Sequence, residues 1–305
     1  MSLVTRRGLL RGAGALAASG VALAGYSTVI EAGNELVLTS YAVAPPLWPT
    51  DMPLRIAVVA DIHACYPWMS EERIGGIVDL ANAQKPDLTV LLGDYVCTHR
   101  YVTGYVPPPA WAEQLARLRA PLGVYSILGN HDWWSAAIPT EPPDDAQSVR
   151  KALLDVGIPV LENRAVPLSH SGKPFWLIGL GDQIARRSYG RVEGVDDLAG
   201  SLREINDSAP AILLAHEPFI FHKVPKRVAL TLSGHTHGGQ VNFPILGSPF
   251  GSTWGNGRQH IYGLYQEGAR QLIVSGGLGT SYAPVRFLRP PEVVVVDVGG
   301  APGTA

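Results

Sequence analysis

The sequence predicts an α/β protein with two stacked sheets and helices on the outside. The first half alternates short apolar runs with amphipathic helical stretches, which indicates parallel strands joined by right-handed crossovers. The second half is richer in strands, with one helical stretch among them. Because no linker interrupts this part of the chain, we expect a single domain from residue 54 to residue 299.

The first half contains four strand candidates and three helix candidates. Ser70 is a suitable N-cap for the first helix, and Gly157 with Pro159 ends the third. The strand at 54–60 is apolar almost throughout, which is typical of a strand buried on both faces. The predicted strands are 36–43, 54–60, 88–92 and 123–128, and the predicted helices are 71–84, 110–119 and 146–156.

The second half contains five apolar runs of strand length and one helix candidate. Only one helical stretch lies among these strands, whereas strands and helices alternate in the first half. This difference favours a second sheet rather than a continuation of the first. The predicted strands are 175–180, 211–215, 229–233, 271–275 and 293–298, and the predicted helix is 197–206.

Composition excludes several classes of protein. Of 305 residues, 46% are hydrophobic and 16% charged, which is too apolar for a disordered chain. The formal net charge of −2 argues against a binder of nucleic-acid polymers that depends on counterion release. Two cysteines, Cys65 and Cys97, cannot form a disulfide framework. Two free buried thiols are the favoured interpretation, and a single bridge is the alternative.

The N-terminus has the features of an export signal. Arg6 and Arg7 precede an Ala/Gly-rich apolar stretch over 12–30, and the order Thr-Arg-Arg-x-Leu-Leu is typical of the twin-arginine route. Residues 22–24 form a plausible cleavage site. We therefore expect 1–30 to be a signal for the twin-arginine export machinery, leading to the periplasm or cell envelope. The alternative is an uncleaved membrane anchor at the N-terminus. Residues 31–53 are expected to form a leading strand and a proline-rich linker.

Polar side chains follow five predicted strands at the point where each strand ends. Strand ends of an α/β sheet share one edge, so residues distant in sequence should converge there. Each short motif is weak alone, because turns and helix caps use the same residues. The residues are Asp61 and His63, Asp94, Asn130 to Asp132, His216, and His235 with His237.

Together these residues predict a metal centre. Several carboxylates and imidazoles in one buried cleft would repel or remain unsatisfied, and a cation removes that cost. Imidazole, carboxylate and amide donors suit Mn, Fe or Zn. Seven candidate ligands exceed one tetrahedral site, so two ions sharing a carboxylate fit better.

The ordered set of motifs resembles the calcineurin-like metallophosphoesterase superfamily, over about residues 54–298. The export signal, the string Gly-His-Thr-His-Gly-Gly-Gln at 234–240 and the ending Arg286…Pro290-Pro291-Glu292 resemble the YaeI/YkuE-type phosphodiesterases more narrowly. The resemblance implies a four-layer α/β/β/α sandwich of two mixed sheets flanked by helices.

The resemblance also implies a role for each motif residue. It implies that Asp94 bridges two metal ions, that His131 faces the substrate without binding metal, and that Asp132 orients His131. The implied ligands of the first ion are Asp61, His63 and His237, and those of the second are Asn130, His216 and His235.

The implied activity is hydrolysis of a phosphodiester by a metal-bridging hydroxide, on a small or envelope-derived substrate. One alternative is a pyrophosphohydrolase acting on a lipid-linked nucleotide sugar of the UDP-diacylglucosamine type. Another is a scaffold that keeps the fold without catalysis; the full set of motif residues argues against it. The sequence does not decide between monoester and diester, or which metals are used.

Three long loops are expected to cover the site. They span 98–109, 133–145 and 239–258, and their aromatic residues are candidates for binding a sugar, a base or a lipid headgroup. Packing on the sheet edge is the alternative use of each aromatic. Candidate phosphate contacts are His99, Arg100 and Arg258.

Overall fold

A computed structural model describes residues 5–134, 144–188, 191–249 and 260–299. The helices are α1 Arg6–Gly25, α2 Glu71–Ala83, α3 Pro108–Leu115, α4 Asn130–Trp134, α5 Gln147–Asp155 and α6 Leu198–Arg203. The strands are β1 Val37–Val43, β2 Leu54–Val59, β3 Cys65–Tyr66, β4 Leu88–Leu91, β5 Gly104–Tyr105, β6 Val124–Ser126, β7 Arg164–His170, β8 Lys173–Gly179, β9 Arg186–Ser188, β10 Arg191–Glu193, β11 Ala211–Leu214, β12 Val228–Ser233, β13 Gly263–Glu267, β14 Arg270–Val274 and β15 Glu292–Val298.

The first large sheet has five strands in the order β1-β15-β2-β4-β6. β2, β4 and β6 run parallel, and β15 is antiparallel to β2. β1 pairs in parallel with β15 from Val37–Glu292 to Val43–Val298, so the segment before the predicted domain is an edge strand of its sheet. The limits 1–30, 31–53 and 54–299 remain predictions.

The second large sheet has six strands in the order β13-β14-β12-β11-β8-β7. Its four central strands, β14, β12, β11 and β8, are parallel, and the two edge strands are antiparallel to their neighbours. Two short antiparallel ribbons, β3-β5 and β9-β10, stand apart from the large sheets. The prediction of two mixed sheets is therefore confirmed.

Apolar side chains divide the molecule into layers. Ile56, Val90, Leu214 and Leu230 belong to the cluster between the two sheets. A second cluster packs α2, α3 and α5 on the outer face of the first sheet, and a third packs α6 and a 3₁₀ turn at Pro218–Lys223 on the outer face of the second. The predicted α/β/β/α order is confirmed.

The sequence located most central elements and both edge strands of the first sheet, β1 and β6, but missed both edge strands of the second sheet. The helices predicted at 110–119, 146–156 and 197–206 occur as α3, α5 and α6, with shifted or shorter limits. The strand predicted at 123–128 is shortened to β6. β7, β13, both short ribbons and the single-turn helix α4 were not predicted. β7 contains Pro167 and alternates in burial, so it lacks the continuous apolar run that marks a central strand.

The N-terminal segment is one long helix with a docked end. α1 continues through a π-helical turn at Tyr26–Glu31, and by length and composition this stretch could cross a membrane. Its first part is exposed, whereas Ser27, Glu31 and Ala32 are buried. Arg286 N donates to Ser27 O (2.9 Å) and Arg289 N to Glu31 Oε1 (2.5 Å). The end of this helix is therefore attached to the loop that follows β14.

Candidate metal centre

All nine sequence-predicted site residues come together where β2, β4, β6, β11 and β12 end. Five of them have left-handed backbone, with φ of 55° at Asp61, 47° at His63, 56° at Asp94, 69° at His235 and 52° at His237. Such backbone costs free energy in residues other than glycine, and it clusters at functional sites. The strand ends are thus bent so that their side chains face one buried space.

Asp61, His63 and His237 form the first group of ligand-type side chains. Their donor atoms lie within 4.8 Å of one another, and all three residues are buried. Nε2 of His63 faces Nε2 of His237 at 3.1 Å, so one nitrogen carries a proton that the other accepts.

Asp94 lies between two groups of histidines. Its Oδ2 is 3.5 Å from Nε2 of His63 and 3.2 Å from Nε2 of His216. Its Oδ1 accepts a hydrogen bond from the backbone N–H of His131 (2.8 Å). One carboxylate oxygen is therefore shared by side chains that come from both sheets.

Asn130, His216 and His235 form the second group. The donor atoms of Asp94, His216 and His235 lie within 4.8 Å of one another. Asn130 Oδ1 lies 2.8 Å from His235 Nδ1, so the amide oxygen and this ring nitrogen occupy the same small space. This group could hold a second ion beside the first.

Backbone carbonyls and one arginine fix the histidine rings. Nδ1 of His63 bonds with Val96 O (2.9 Å) and Nδ1 of His216 with Leu92 O (2.6 Å), which leaves each Nε2 turned to the site. The fully buried Arg286 donates to His237 Nδ1 (3.2 Å) and to the carbonyls of Gly276, Gly279 and Arg289. The sequence had marked Arg286 only as part of a resemblance, and gave no sign of this contact.

Asp132 fixes the conformation of the loops that follow β4 and β6 through hydrogen bonds to their backbone. Its carboxylate accepts hydrogen bonds from four backbone N–H groups, those of Asp94, Tyr95, Val96 and Gly129, at 2.8–3.1 Å. The contacts of the His131 ring include the hydroxyls of Thr98 at Nδ1 and Ser281 at Nε2, the latter at 3.2 Å. Orientation of His131 by Asp132 thus stays a prediction, whereas Thr98 and Ser281 are partners that sequence reasoning missed.

Two glycines make room for the carboxylates. A Cβ on Gly129 would lie 2.4 Å from Asp94 Oδ1 and 2.6 Å from the His216 ring. A Cβ on Gly234 would lie 2.5 Å from Asp61 Oδ2. These positions need glycine because the backbone passes too close to the site for any side chain.

Burial dominates the electrostatics of the site. It raises the pKa of Asp61 to about 7, and it lowers the pKa of His63 and of His235 to about 3. Burial also opposes charge on His216, but the carboxylates of Asp94, Glu217 and Asp61 together outweigh it and raise the His216 pKa well above its ordinary value. Neutral imidazole is the form that binds metal ions, so His63 and His235 are in their ligating state at neutral pH.

A cavity of about 320 Å³ opens beside these residues. Asn130, His131, His235 and His237 form its polar side. The apolar side consists mainly of Trp134, Ile184, Phe219, Val241, Ile261, Tyr282, Ala283 and Val285. Arg187 also lines the cavity, with its guanidinium carbon 3.3 Å from the centre of the Trp134 ring.

The predicted covering loops contribute only partly to this cavity. Trp134 and the start of the 239–258 loop line it, whereas Phe250, Trp254 and Arg258 lie outside the described residues. Among the described residues His99 and Arg100 are not lining residues, and Arg100 is exposed. Arg187 is the cation that the structure places there instead, and β9, which carries it, was not predicted.

A family model described as calcineurin-like phosphoesterase matches residues 54–239 of this chain. The chain belongs to the calcineurin-like phosphoesterase family. Members of this family are metal-dependent phosphoesterases that use two metal ions, and this chain has their clustered His and Asp groups.

Full-length relatives agree with membership in the calcineurin-like phosphoesterases. An uncharacterized metallophosphoesterase of Aquifex aeolicus is 32% identical, covering 87% of this chain and 92% of its own. The uncharacterized metallophosphoesterase YkuE of Bacillus subtilis is 30% identical and covers 97% and 98%. Phosphodiesterase YaeI of Escherichia coli is 28% identical and covers 81% and 82%.

A buried carboxyl pair adjoins the phosphoesterase site. Burial and the nearby Glu217 carboxylate raise the pKa of Asp182 well above its ordinary value, and burial raises the pKa of Glu217. Asp182 thus keeps a proton in the folded state that the unfolded chain loses above pH 3.8. The proton on Asp182 therefore stabilises the folded state fully below that pH. This stabilisation is lost as the pH rises through the pKa that Asp182 has in the folded protein.

We expect Asp182→Asn to remove this part of the pH dependence, because asparagine is neutral and can still accept from Ile184 N, as Asp182 Oδ1 does at 2.8 Å. The variant should gain on the order of 1 kcal/mol in free energy of unfolding at pH 8 relative to the parent, and nothing at pH 4. Urea unfolding of the metal-free proteins at both pH values measures this. An equal effect at the two pH values would contradict it.

Proposed function

We propose that this protein is a phosphodiesterase in which seven side chains hold two transition-metal ions. Asp61, His63 and His237 would hold one, and Asn130, His216 and His235 the other. The observation that carries the proposal is the position of Asp94 Oδ2, 3.5 Å and 3.2 Å from a histidine of each group, where one carboxylate can serve both ions.

An unsatisfied buried oxygen supports a fit to metal ions. Within the described residues Asp61 Oδ2 has no hydrogen-bond partner, although this atom is buried. A buried polar atom without a partner costs about 1–3 kcal/mol, more if it is charged. The donors of the site are imidazole nitrogen and carboxylate or amide oxygen, a set that suits Mn, Fe or Zn.

When bound, such ions supply an activated water as nucleophile and neutralise charge on the phosphoryl oxygens. The other functions fall to the chain itself. His131 lies on the polar side of the cavity and would hydrogen-bond the substrate or protonate the leaving oxygen. Thr98 and Ser281 hold its ring on both nitrogens. Asp132 keeps Gly129 and the segment from Asp94 to Val96 in place through four backbone hydrogen bonds.

The shape and lining of the cavity favour a phosphodiester in which one of the two ester substituents is apolar or aromatic. Its wall beyond the histidines is mostly apolar, and Trp134 with Tyr282 offers ring faces. Arg187, an exposed residue that lines the cavity, provides a positive charge. An anionic phosphoryl group at the polar side and an apolar substituent along this wall would use both halves of the cavity.

A second candidate is hydrolysis of a lipid-linked pyrophosphate. Ile245 and Leu246 are exposed apolar residues at the tip of the loop that follows Val241, a lining residue. That loop pairs with Phe287, next to the segment that holds the end of α1 (Asn242 N to Phe287 O, 2.8 Å). An apolar tip, an apolar cavity wall and a helix of membrane-spanning length thus adjoin one another, which favours access to a lipid substrate.

The test of the proposed activity is turnover of bis-p-nitrophenyl phosphate by purified protein reconstituted with Mn²⁺. We expect two metal equivalents and metal-dependent release of p-nitrophenol, at a higher kcat/KM than for p-nitrophenyl phosphate. A preference for the monoester would contradict the diesterase proposal. Folded protein with two metals and no turnover of either substrate would support a scaffold instead.

We propose that α1 directs this domain across a membrane through the twin-arginine route, to the periplasm or cell envelope. Arg6, Arg7 and Arg11 lie at the N-terminal end of the helix, and the apolar stretch follows. The docking of Ser27 and Glu31 on the domain favours a chain that keeps this segment, so the mature protein would remain anchored.

Arg6→Lys with Arg7→Lys tests the route, because it keeps the charge and removes the arginine pair. We expect the tagged variant to accumulate in the cytoplasm while the parent reaches the envelope, as followed by cell fractionation. Arg11→Lys is the matched control and should be exported normally. Export of the double variant at the parent level would exclude the twin-arginine route.

A further inference from the structure

Cys65, Cys97 and His99 form a second cluster of ligand-type side chains outside the seven candidate metal ligands. They are 1%, 1% and 5% exposed, and both cysteines are free thiols. One donor atom from each lies within 4.8 Å of the others. The proposed phosphoester chemistry uses none of the three.

The backbone holds the two sulfurs side by side. Ala64 pairs in parallel with Val96, so the residues that follow them, Cys65 and Cys97, come together. Both backbone polar groups of Cys65 bond with Met69, at 3.0 Å and 2.7 Å. The position of this thiol is therefore fixed by the fold before any ion binds.

His99 presents a buried nitrogen that lacks a partner. Its Nε2 bonds with Thr280 Oγ1 at 3.2 Å, whereas Nδ1 has no hydrogen-bond partner among the residues described. Buried polar atoms are normally satisfied, so an orphaned ring nitrogen beside two thiols needs an explanation. Nδ1 is the atom that remains for a ligand.

We propose that Cys65, Cys97 and His99 bind a thiophilic cation, zinc in the first instance, as a site separate from the two phosphoesterase ions. Two thiolates and a neutral imidazole are a donor set that zinc prefers over calcium or magnesium. Their two negative charges balance Zn²⁺, so the buried site is neutral overall; binding releases the two thiol protons to solvent. Zinc bonds of about 2.3 Å to sulfur and 2.0–2.1 Å to nitrogen require only a small contraction of the cluster.

This ion would hold both segments that contact His131. Thr98, whose hydroxyl contacts His131 Nδ1, lies between Cys97 and His99 in the chain. Ser281, whose hydroxyl lies 3.2 Å from His131 Nε2, follows Thr280, the partner of His99. The proposed zinc would therefore fix the surroundings of a residue that faces the cavity.

Cobalt substitution of the full chain tests this site. Metal-free protein is titrated with Co²⁺, and the sulfur-to-cobalt charge-transfer absorption in the near ultraviolet is recorded. Because the phosphoesterase site has only nitrogen and oxygen donors, this band reports the cysteine cluster alone. We expect the band in the parent and in Asp94→Asn, and we expect it to disappear in Cys65→Ser with Cys97→Ser.

A folded parent without the band overturns the proposal. So does an intact mass two hydrogens below that of the reduced chain, which would reveal a disulfide. If the double variant does not fold, His99→Gln keeps both sulfurs and should weaken cobalt binding at this band by about tenfold or more. Unchanged cobalt affinity in His99→Gln would remove His99 from the site and contradict the proposed donor set.

Discussion

Replacing Asp94 by asparagine is expected to abolish turnover of bis-p-nitrophenyl phosphate, by about 10³-fold or more in kcat/KM. The new amide oxygen would still accept the backbone hydrogen bond from His131, so the loop should keep its conformation. The variant loses the charge that faces Nε2 of both His63 and His216, at 3.5 Å and 3.2 Å. Manganese content should therefore fall from two equivalents to one or none, as measured by elemental analysis of the Mn²⁺-reconstituted protein after dialysis.

The matched control is Asp79→Asn. Asp79 is an exposed residue whose only role in the described structure is a surface ion pair with Arg117, and exposed pairs contribute little. This variant should keep both metals and full activity. If Asp94→Asn keeps two manganese equivalents and near-parental kcat/KM, Asp94 does not bind the two ions, and the proposed arrangement of the site is wrong.

Replacing His131 by alanine is expected to lower kcat by about 10²–10⁴-fold while both metal ions are retained. His131 lines the cavity and lies beside Asp94, but its proposed role is toward the substrate rather than the ions. His222→Ala is the matched control, because the His222 ring is exposed and, within the described residues, bonds with Phe219 O three residues away. An unchanged kcat in His131→Ala would refute the role.

The leaving group separates two roles of His131. If the imidazole protonates the leaving oxygen, the loss in kcat should be larger for a diester with a poor alkoxide leaving group than for a p-nitrophenyl diester. If it only hydrogen-bonds the phosphoryl group, the two losses should be equal. Loss of metal along with activity would instead indicate that His131 stabilises the ions themselves.

The candidate site could be predicted from the sequence because its residues lie next to the ends of predicted strands. Each of Asp61, Asp94 and His216 comes directly or almost directly after a buried apolar run, and strand ends of parallel strands meet at one edge. The structure places all of them there. The strain at these positions, with positive φ at five of the nine residues, was not visible in the sequence.

The residues that sequence reasoning missed depend on tertiary contacts. Arg286 reaches His237 from 49 residues away in the chain, and no local pattern distinguishes it from a surface arginine. Arg187 enters the cavity on β9, three residues long and without an apolar run. His99 was expected to contact phosphate, yet it faces Thr280 and the cysteines because the 97–99 segment runs beside β3. Edge strand β13 of the second sheet was missed for a related reason, since it has intermediate or exposed residues throughout.

Anomalous X-ray diffraction from a crystal of the manganese-loaded protein measures most directly whether these side chains cage two ions. We expect two anomalous peaks on either side of Asp94, one within bonding distance of Asp61, His63 and His237 and the other within bonding distance of Asn130, His216 and His235. Manganese peaks only at other places in the molecule, or a single peak that leaves Asp94 uncoordinated, would contradict it.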